Sequence, residues 1–446
     1  MTETGTPSGG NRRSIARLSD IRRHRPRSHF TFQWHVTARC DADCMHCYMK
    51  DAPDHKGQLE GELGLPECIK VLDDIEHFAE WHDVKVRLNI TGGDPLLKED
   101  IVHIIKEARE RGFLVGMLGN PGHLDEAMAS ALKDAGIFRY QLSIDGMRAT
   151  HDALRGRPGH FDDTLRAIRV LRGAGIPSVV MFTVSKRNAG ELLDVIRLCA
   201  DENVSIFDFS RLVPVGRGGG MEMVTAGEYR DLLMAVDAEY ARLREKGCRT
   251  FFGRKEGLWA LVEYERSGGP PPMREDVAVM TGCSVGSRSL TILADGTVYP
   301  CRRLPIPIGR VPDESVTDIF HGSQVLDGLR QVRGMEKCGP CALLKVCRGC
   351  MAVAAAASSG DPKAPDPQCW ASFPKDGGKE KKGPITLEDF LFWRMKREGR
   401  VVKGGGGTGP KPKVSGCTVC DEGCGACAEA CAACSEVCAG CNSPEG

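Results

Sequence analysis

The chain has 446 residues, 60 Lys and Arg balanced by 60 Asp and Glu, and 21 cysteines. That length allows two or three domains with a sizeable core. The neutral balance speaks against a whole-chain nucleic-acid or membrane-surface partner, and no apolar run approaches the ~20 residues of a membrane-spanning helix.

In chain order, segment 1–28 carries Arg12, Arg13, Arg17, Arg22, Arg23, Arg25 and Arg27 with no apolar stretch behind them. It reads as a solvated basic arm and not as a secretory signal. Next, β-branched or apolar runs predict strands at 31–37, 84–91, 113–119, 139–145, 178–185 and 205–213. Helical patterns fall between them at 66–80, 99–111, 124–135, 161–173 and 190–201. Alternation of this kind predicts βαβ units, hence an α/β fold with a parallel sheet. Six such units suit a partial (β/α)6 barrel over 29–250, with chemistry at the C-terminal strand ends. A helix follows at 225–246, then a Cys-rich domain over 251–373, a helix at 387–397 within a linker region 374–415, and a Cys-repeat tail over 416–446.

The cysteines cluster at short spacings in a chain with no export signal, and their number is odd, which favours metal ligation in the cytoplasm over disulfides. Cys40, Cys44 and Cys47 fall within eight residues just after the first predicted strand. Three thiolates can wrap a 4Fe–4S cluster and leave one iron for another ligand. A structural zinc site needs a fourth ligand, and His46 would have to strain the loop to supply it.

This Cys-x3-Cys-x2-Cys segment, with Tyr48 after it, resembles the signature of the radical S-adenosylmethionine (SAM) superfamily. Gly92-Gly93-Asp94-Pro95 after the second strand resembles the family's Gly-Gly-Glu-Pro motif, with Asp94 in place of the usual Glu. The resemblance implies that the open iron binds the amino and carboxylate groups of SAM. Its sulfonium is then cleaved reductively to a 5′-deoxyadenosyl radical. It also implies cofactor contacts from Gly92, Gly93, Asp94, Pro95, Asn120, Ser143, Asp145 and Arg155. For Ser143 and Asp145 the other reading is turn and capping chemistry. For Arg155 it is a surface ion pair. Arg211, Gly216 and Arg217 close the sixth strand in a loop that either faces the ligand or merely connects.

Downstream, Cys283, Cys301, Cys338, Cys341, Cys347, Cys350 and Cys369 resemble the SPASM extension of the family. The resemblance implies two auxiliary clusters, one on Cys338, Cys341, Cys347 and Cys369, the other on Cys283, Cys301 and Cys350. Only Arg348 and Gly349 separate Cys347 from Cys350, one residue short of the family spacing. The second set has three thiols; either its open iron takes a substrate thiolate or a non-Cys ligand completes it, and Ser289 lies near. Cys68, Cys199 and Cys248 read as ordinary core thiols.

In the tail, Cys417, Cys424, Cys431 and Cys438 alternate with Cys420, Cys427, Cys434 and Cys441 as a Cys-x2-Cys-x3 repeat. It is a tethered substrate or substrate mimic, a further metal site, or a low-complexity end. Together with the strand Phe32-Gln33-Trp34-His35, these features resemble SPASM maturases of ribosomal peptides, in particular those paired with Ala-Cys-Gly-x repeat peptides. The expected activity is thioether or related crosslinking of a Cys-rich peptide, with a flavodoxin or ferredoxin as electron donor. Two alternatives stand: sulfatase-maturase-like oxidation of Cys or Ser, and a non-catalytic iron–sulfur carrier or metal store.

Overall fold

A computed structural model describes residues 28–271 and 281–372. The helix expected at 387–397 and the Cys-repeat tail lie outside the described residues. Strands β1 (His29–Thr37), β2 (Lys85–Gly92), β3 (Leu114–Leu118), β4 (Arg139–Ser143), β5 (Ser178–Val184) and β6 (Ile206–Arg211) are consecutive parallel neighbours. Each is followed by at least one helix, so the expected six-unit partial barrel is present.

The sheet runs further than the sequence pattern announces. A two-residue strand β7 (Phe251–Phe252) adds parallel to β6, and β8 (Ser289–Ile292) adds parallel to β1. Strands β9 (Thr297–Tyr299) and β10 (Gly309–Arg310) then continue antiparallel, giving the order β10-β9-β8-β1-β2-β3-β4-β5-β6-β7. The cysteine-rich segment thus shares one sheet with the barrel. These strands have two to four residues each, too short for a period-2 signal to stand out.

Alternation sorts the strands' two faces. Phe30, Phe32 and Trp34 of β1 point outward and are buried under helices. Phe30 meets Phe78 at 4.7 Å between ring centroids, and Phe320 stands edge-on to both at 5.4 and 5.5 Å. Phe78 belongs to the helix Leu65–His82 and Phe320 to the helix Val316–Gly322. The aromatic knot therefore fastens the middle of the cysteine-rich segment to the start of the barrel, and burying each ring contributes roughly 1.5–3 kcal/mol. The opposite face is polar: Gln33 and His35 of β1, Asn89 and Thr91 of β2, Gln141 and Ser143 of β4, Thr183 of β5 and Ser210 of β6 all face the hollow of the barrel.

Among the described residues no helix is long and apolar enough to cross a membrane. Cys68 and Cys199 are buried in the core and Cys248 packs against it, as expected. Replacing Phe78 by Ala removes the centre of the aromatic knot; a loss of about 3–5 kcal/mol is expected, read as a drop in the denaturation midpoint.

Candidate active site and auxiliary cluster sites

The first cysteine loop leaves the C-terminal end of β1 and is held by glycines and charges on neighbouring loops. A Cβ on Gly156 would lie 2.5 Å from the Asp43 carbonyl, and one on Gly216 would lie 2.6 Å from that of Tyr48. Both glycines have positive φ, 66° and 58°, so no other residue fits there without strain. Arg217 N–H donates to the Lys50 carbonyl at 2.8 Å, and its guanidinium pairs with Asp43 and Asp51. The Pro-x-Gly-Arg-Gly loop thus acts as a clamp on the cysteine loop.

Cys40, Cys44 and Cys47 line one cavity of about 170 Å³ at the C-terminal strand ends. Each sulfur faces a donor: Asn120 Nδ2 at 3.4 Å from Cys40 Sγ, Arg155 Nη1 at 3.6 Å from Cys44 Sγ, and Lys50 N–H at 3.3 Å from Cys47 Sγ. Donors aimed at all three sulfurs suit metal-bound thiolates, whose charge such bonds stabilise. Burial pushes the Cys40 thiol up to about 11 and raises Cys44 as well, so binding a metal must displace the protons. His46 is turned to Asp145, Nε2 to Oδ2 3.3 Å, and is not offered to the sulfurs as a fourth ligand.

Gly92, Gly93, Asn120, Ser143 and Arg155 line the same cavity. Gly93 is a close-approach position: a Cβ there would sit 2.2 Å from the Arg39 carbonyl and 2.7 Å from Cys40 Cβ. Asp94 and Pro95 stand behind the wall. Asp94 Oδ1 accepts from Leu96 N–H at 3.3 Å and Asn120 N–H at 3.4 Å, while its buried Oδ2 has no partner. Burial pushes this carboxyl up to about 6. Asp145 is fully buried below the cavity; it accepts from Thr183 N–H at 2.7 Å and pairs with Arg155. Burial opposes its ionisation, but Arg155 and then His46 outweigh that and hold the carboxyl well below the usual range. Arg155 is therefore no surface pair: Asp145 fixes its guanidinium so that one nitrogen reaches Cys44.

The helix that carries Arg155, Arg148–Arg155, is absent from the predicted set because only Ala149, Ala153 and Leu154 of its eight residues are apolar. Lys50, Gln141, Thr183, Ser210, Arg302 and Arg303 also line the cavity and escaped the sequence reading. Strand alternation could have found Gln141, Thr183 and Ser210; no local signal marks the two arginines.

Cys338, Cys341, Cys347 and Cys369 line a second cavity of about 140 Å³. Burial pushes the Cys338 and Cys347 thiols up to about 12. Cys283, Cys301 and Cys350 form a separate group in which the charge of Cys301 acts on Cys283 and that of Cys283 on Cys350. The short Cys347-to-Cys350 spacing is bridged by two positive-φ residues, Arg348 at 144° and Gly349 at 61°, which turn the chain between the two groups. Buried Arg348 donates to the Cys283 and Leu344 carbonyls. Ser289 Oγ lies 2.8 Å from Ser284 Oγ, so its hydroxyl is already engaged.

Arg211, at the end of β6, joins the two regions. It lines the first cavity, yet is 1% exposed. Its guanidinium meets Glu256 at 3.0 Å, Asp366 at 2.8 and 2.9 Å and Gln368 Oε1 at 3.0 Å. Asp366 lines the second cavity and accepts from Cys350 N–H at 2.8 Å.

Residues 34–199 match the radical SAM superfamily model, and residues 283–351 match the SPASM iron–sulfur cluster-binding domain. The chain belongs to the radical SAM superfamily and carries a SPASM domain. It is 30% identical to an AdoMet-dependent heme synthase of Methanosarcina barkeri over 351 residues, 75% of this chain and 95% of that one. It is 27% identical to the mycofactocin maturase MftC of Mycobacterium tuberculosis over 350 residues, 75% of this chain and 81% of that one. The fold is similar to that of Streptococcus suis SuiB bound to SAM, with a TM-score of 0.59 at 16% identity over 78% of each chain. The protein is thus a radical SAM enzyme whose cofactors are SAM and 4Fe–4S clusters, and the non-catalytic alternative falls.

Two outcomes test this geometry. Arg211→Met leaves Glu256 and Asp366 buried without their cation, so a loss of about 3–5 kcal/mol is expected in chemical denaturation. Asp145 has a folded pKa below its unfolded value of ~3.9. Its contribution to stability is complete above that value and is lost as pH falls through the lower folded one. In Asp145→Asn the denaturation midpoint should respond less steeply to pH at the acid end.

Proposed function

We propose that this enzyme modifies a Cys-rich peptide and joins a cysteine sulfur to a carbon of the same peptide as a thioether or related oxidised crosslink. In this reading Cys40, Cys44 and Cys47 hold the SAM-cleaving cluster. Cys338, Cys341, Cys347 and Cys369 hold one auxiliary cluster, and Cys283, Cys301 and Cys350 the other. The bound cluster and cofactor supply hydrogen-atom abstraction through reductive cleavage of the sulfonium. Gly92, Gly93, Asn120, Ser143 and Arg155 seat the cofactor, with Asp94 and Asp145 positioning Asn120 and Arg155 from behind.

The observation that carries the peptide reading is the three-thiol auxiliary group beside the first cavity. Arg302 and Arg303, the two residues after Cys301, line that cavity, so a cluster held by these three thiols would stand next to the wall that the substrate meets and could offer an open iron to its sulfur. The chain supplies a matching pattern in its own repeat at 417–441, either as a tethered substrate or as a mimic of one. A tether of this kind raises the effective concentration to the millimolar range. Precedent comes from SuiB, crystallised with its precursor peptide SuiA, and from the sporulation killing factor maturation protein SkfB. A low-potential flavodoxin or ferredoxin would supply the electron that cleaves SAM, in a cytoplasmic setting; the C–H hydrogen would leave in 5′-deoxyadenosine, the thiol proton to water, and the electron released as the C–S bond forms to an auxiliary cluster.

The similarity to heme synthases supports a second reading, in which the substrate is a tetrapyrrole. Anaerobic turnover of the reconstituted full chain separates the two. Loss of two hydrogens per crosslink and protection of cysteines from alkylation are expected in a peptide of sequence 417–446, in the enzyme's own tail, or in both. Release of 5′-deoxyadenosine with every cysteine unchanged, or turnover of a porphyrin in its place, would overturn the peptide reading. Three cubanes hold ~12 irons. Cys44→Ala should lose about a third of them together with all 5′-deoxyadenosine, whereas Cys347→Ala should lose a similar share and still cleave SAM.

A further inference from the structure

Three cations gather at the first cavity and beside it: Arg139, Lys255 and Arg302, of which Arg302 lines the cavity wall. On β4, Gln141 and Ser143 line the cavity, and Arg139 lies on the same face two residues deeper. The Arg302 guanidinium sits 5.5 Å above the Tyr48 ring. Lys255 follows β7, and its backbone N–H lies 3.5 Å from Asp208 Oδ1 of β6. Lys255 is exposed to water, and Arg302, Asp208, Arg303 and Arg139 all lie near enough to act on its ammonium. Among the described residues none of the three head groups has an ion-pair partner.

The acids nearby offset them only in part. Asp208 is the neighbouring carboxylate of both Lys255 and Arg139, one acid against three cations. Glu256 is committed to Arg211. Arg303 adds charge from the far wall while donating to the Arg211 carbonyl at 3.1 Å. Burial, with Arg302 next, pushes the Lys255 ammonium down to about 8. Like charges in excess of the acids beside them repel one another, and a cleft edged by such a set attracts an anion.

The Cys repeat bears that anion at a fixed place. Glu422, Glu429 and Glu436 each stand two residues after Cys420, Cys427 and Cys434, and residues 417–446 contain no Lys or Arg. Two residues of extended peptide span about 7 Å, the same two-residue rise that separates Arg139 from Gln141 along β4. We propose that Arg139, Lys255 and Arg302 bind the glutamate carboxylate of a Cys-x2-Cys-x-Glu unit and so present the cysteine two residues before it to the cavity above. This deepens the peptide reading and rests on it.

The test uses the reconstituted full chain and two synthetic peptides of sequence 417–446, one with its natural glutamates and one with Glu422→Gln, Glu429→Gln and Glu436→Gln. The natural peptide should be modified with kcat/KM at least about tenfold higher, the scale of a charge-assisted hydrogen bond. The ratio is insensitive to competition from the chain's own tail. In Lys255→Met the ratio should fall severalfold, because the carboxylate has lost one of its three partners. Equal rates for both peptides in the wild-type enzyme, or undiminished discrimination in Lys255→Met, would overturn this inference and leave the peptide reading intact. Failure to modify either peptide would remove the peptide reading itself. If Lys255→Met does not take up iron, the wild-type comparison alone decides.

Discussion

A single buried guanidinium holds the two halves of this enzyme's chemistry in register. Arg211 ends the last long strand of the barrel and is satisfied by Glu256, Asp366 and Gln368. Asp366 in turn receives the backbone N–H of Cys350. Desolvating an arginine is unfavourable unless its donors find acceptors in good geometry. Here the acceptors come from the segment after β7 and from the turn before Cys369, so neither can shift without exposing a buried charge. The arrangement makes the spacing between the SAM-cleaving centre and the auxiliary thiols a property of packing.

The barrel is built inside out relative to an ordinary core. Its aromatic and β-branched side chains point outward into the helix layer, where Phe30, Phe78 and Phe320 interlock. Its inward face is polar, and Gln33, His35, Arg87 and Asn89 each keep a buried atom without a partner. Unsatisfied polar atoms cost about 1–3 kcal/mol apiece when nothing pairs with them. A hollow that tolerates them is shaped for ligands that supply the missing partners. The outer layer provides the stability that this inner face lacks.

The similarity to heme synthases and to peptide maturases follows from this division of labour. The outer layer and the cysteine loops serve any substrate that must meet an adenosyl radical, and they account for the family match. What differs between such enzymes can be confined to inward side chains and to arginines brought in from the auxiliary domain. Fold and cofactor are therefore shared across activities that act on different molecules.

Local pattern was enough for the six βα units, the two cysteine sets and the Gly-Gly-Asp-Pro turn, because these depend on periodicity and on spacing along the chain. Cys40, Cys44 and Cys47 share a cavity because eight residues cannot carry them far apart. Ser143 and Arg155 were readable as candidates but not as partners. Asp145 holds Arg155 against Cys44 only because a short, mostly polar helix after β4 brings Arg155 back over the cysteine loop. The roles of Arg211, Lys255, Arg302 and Arg303 could not be read locally at all. Each acquires its neighbours from segments 45 to 254 residues away, and a cation's environment is set by what surrounds it in space. Residue order alone thus determined which chemistry the chain can hold, and tertiary packing decided where its charges gather.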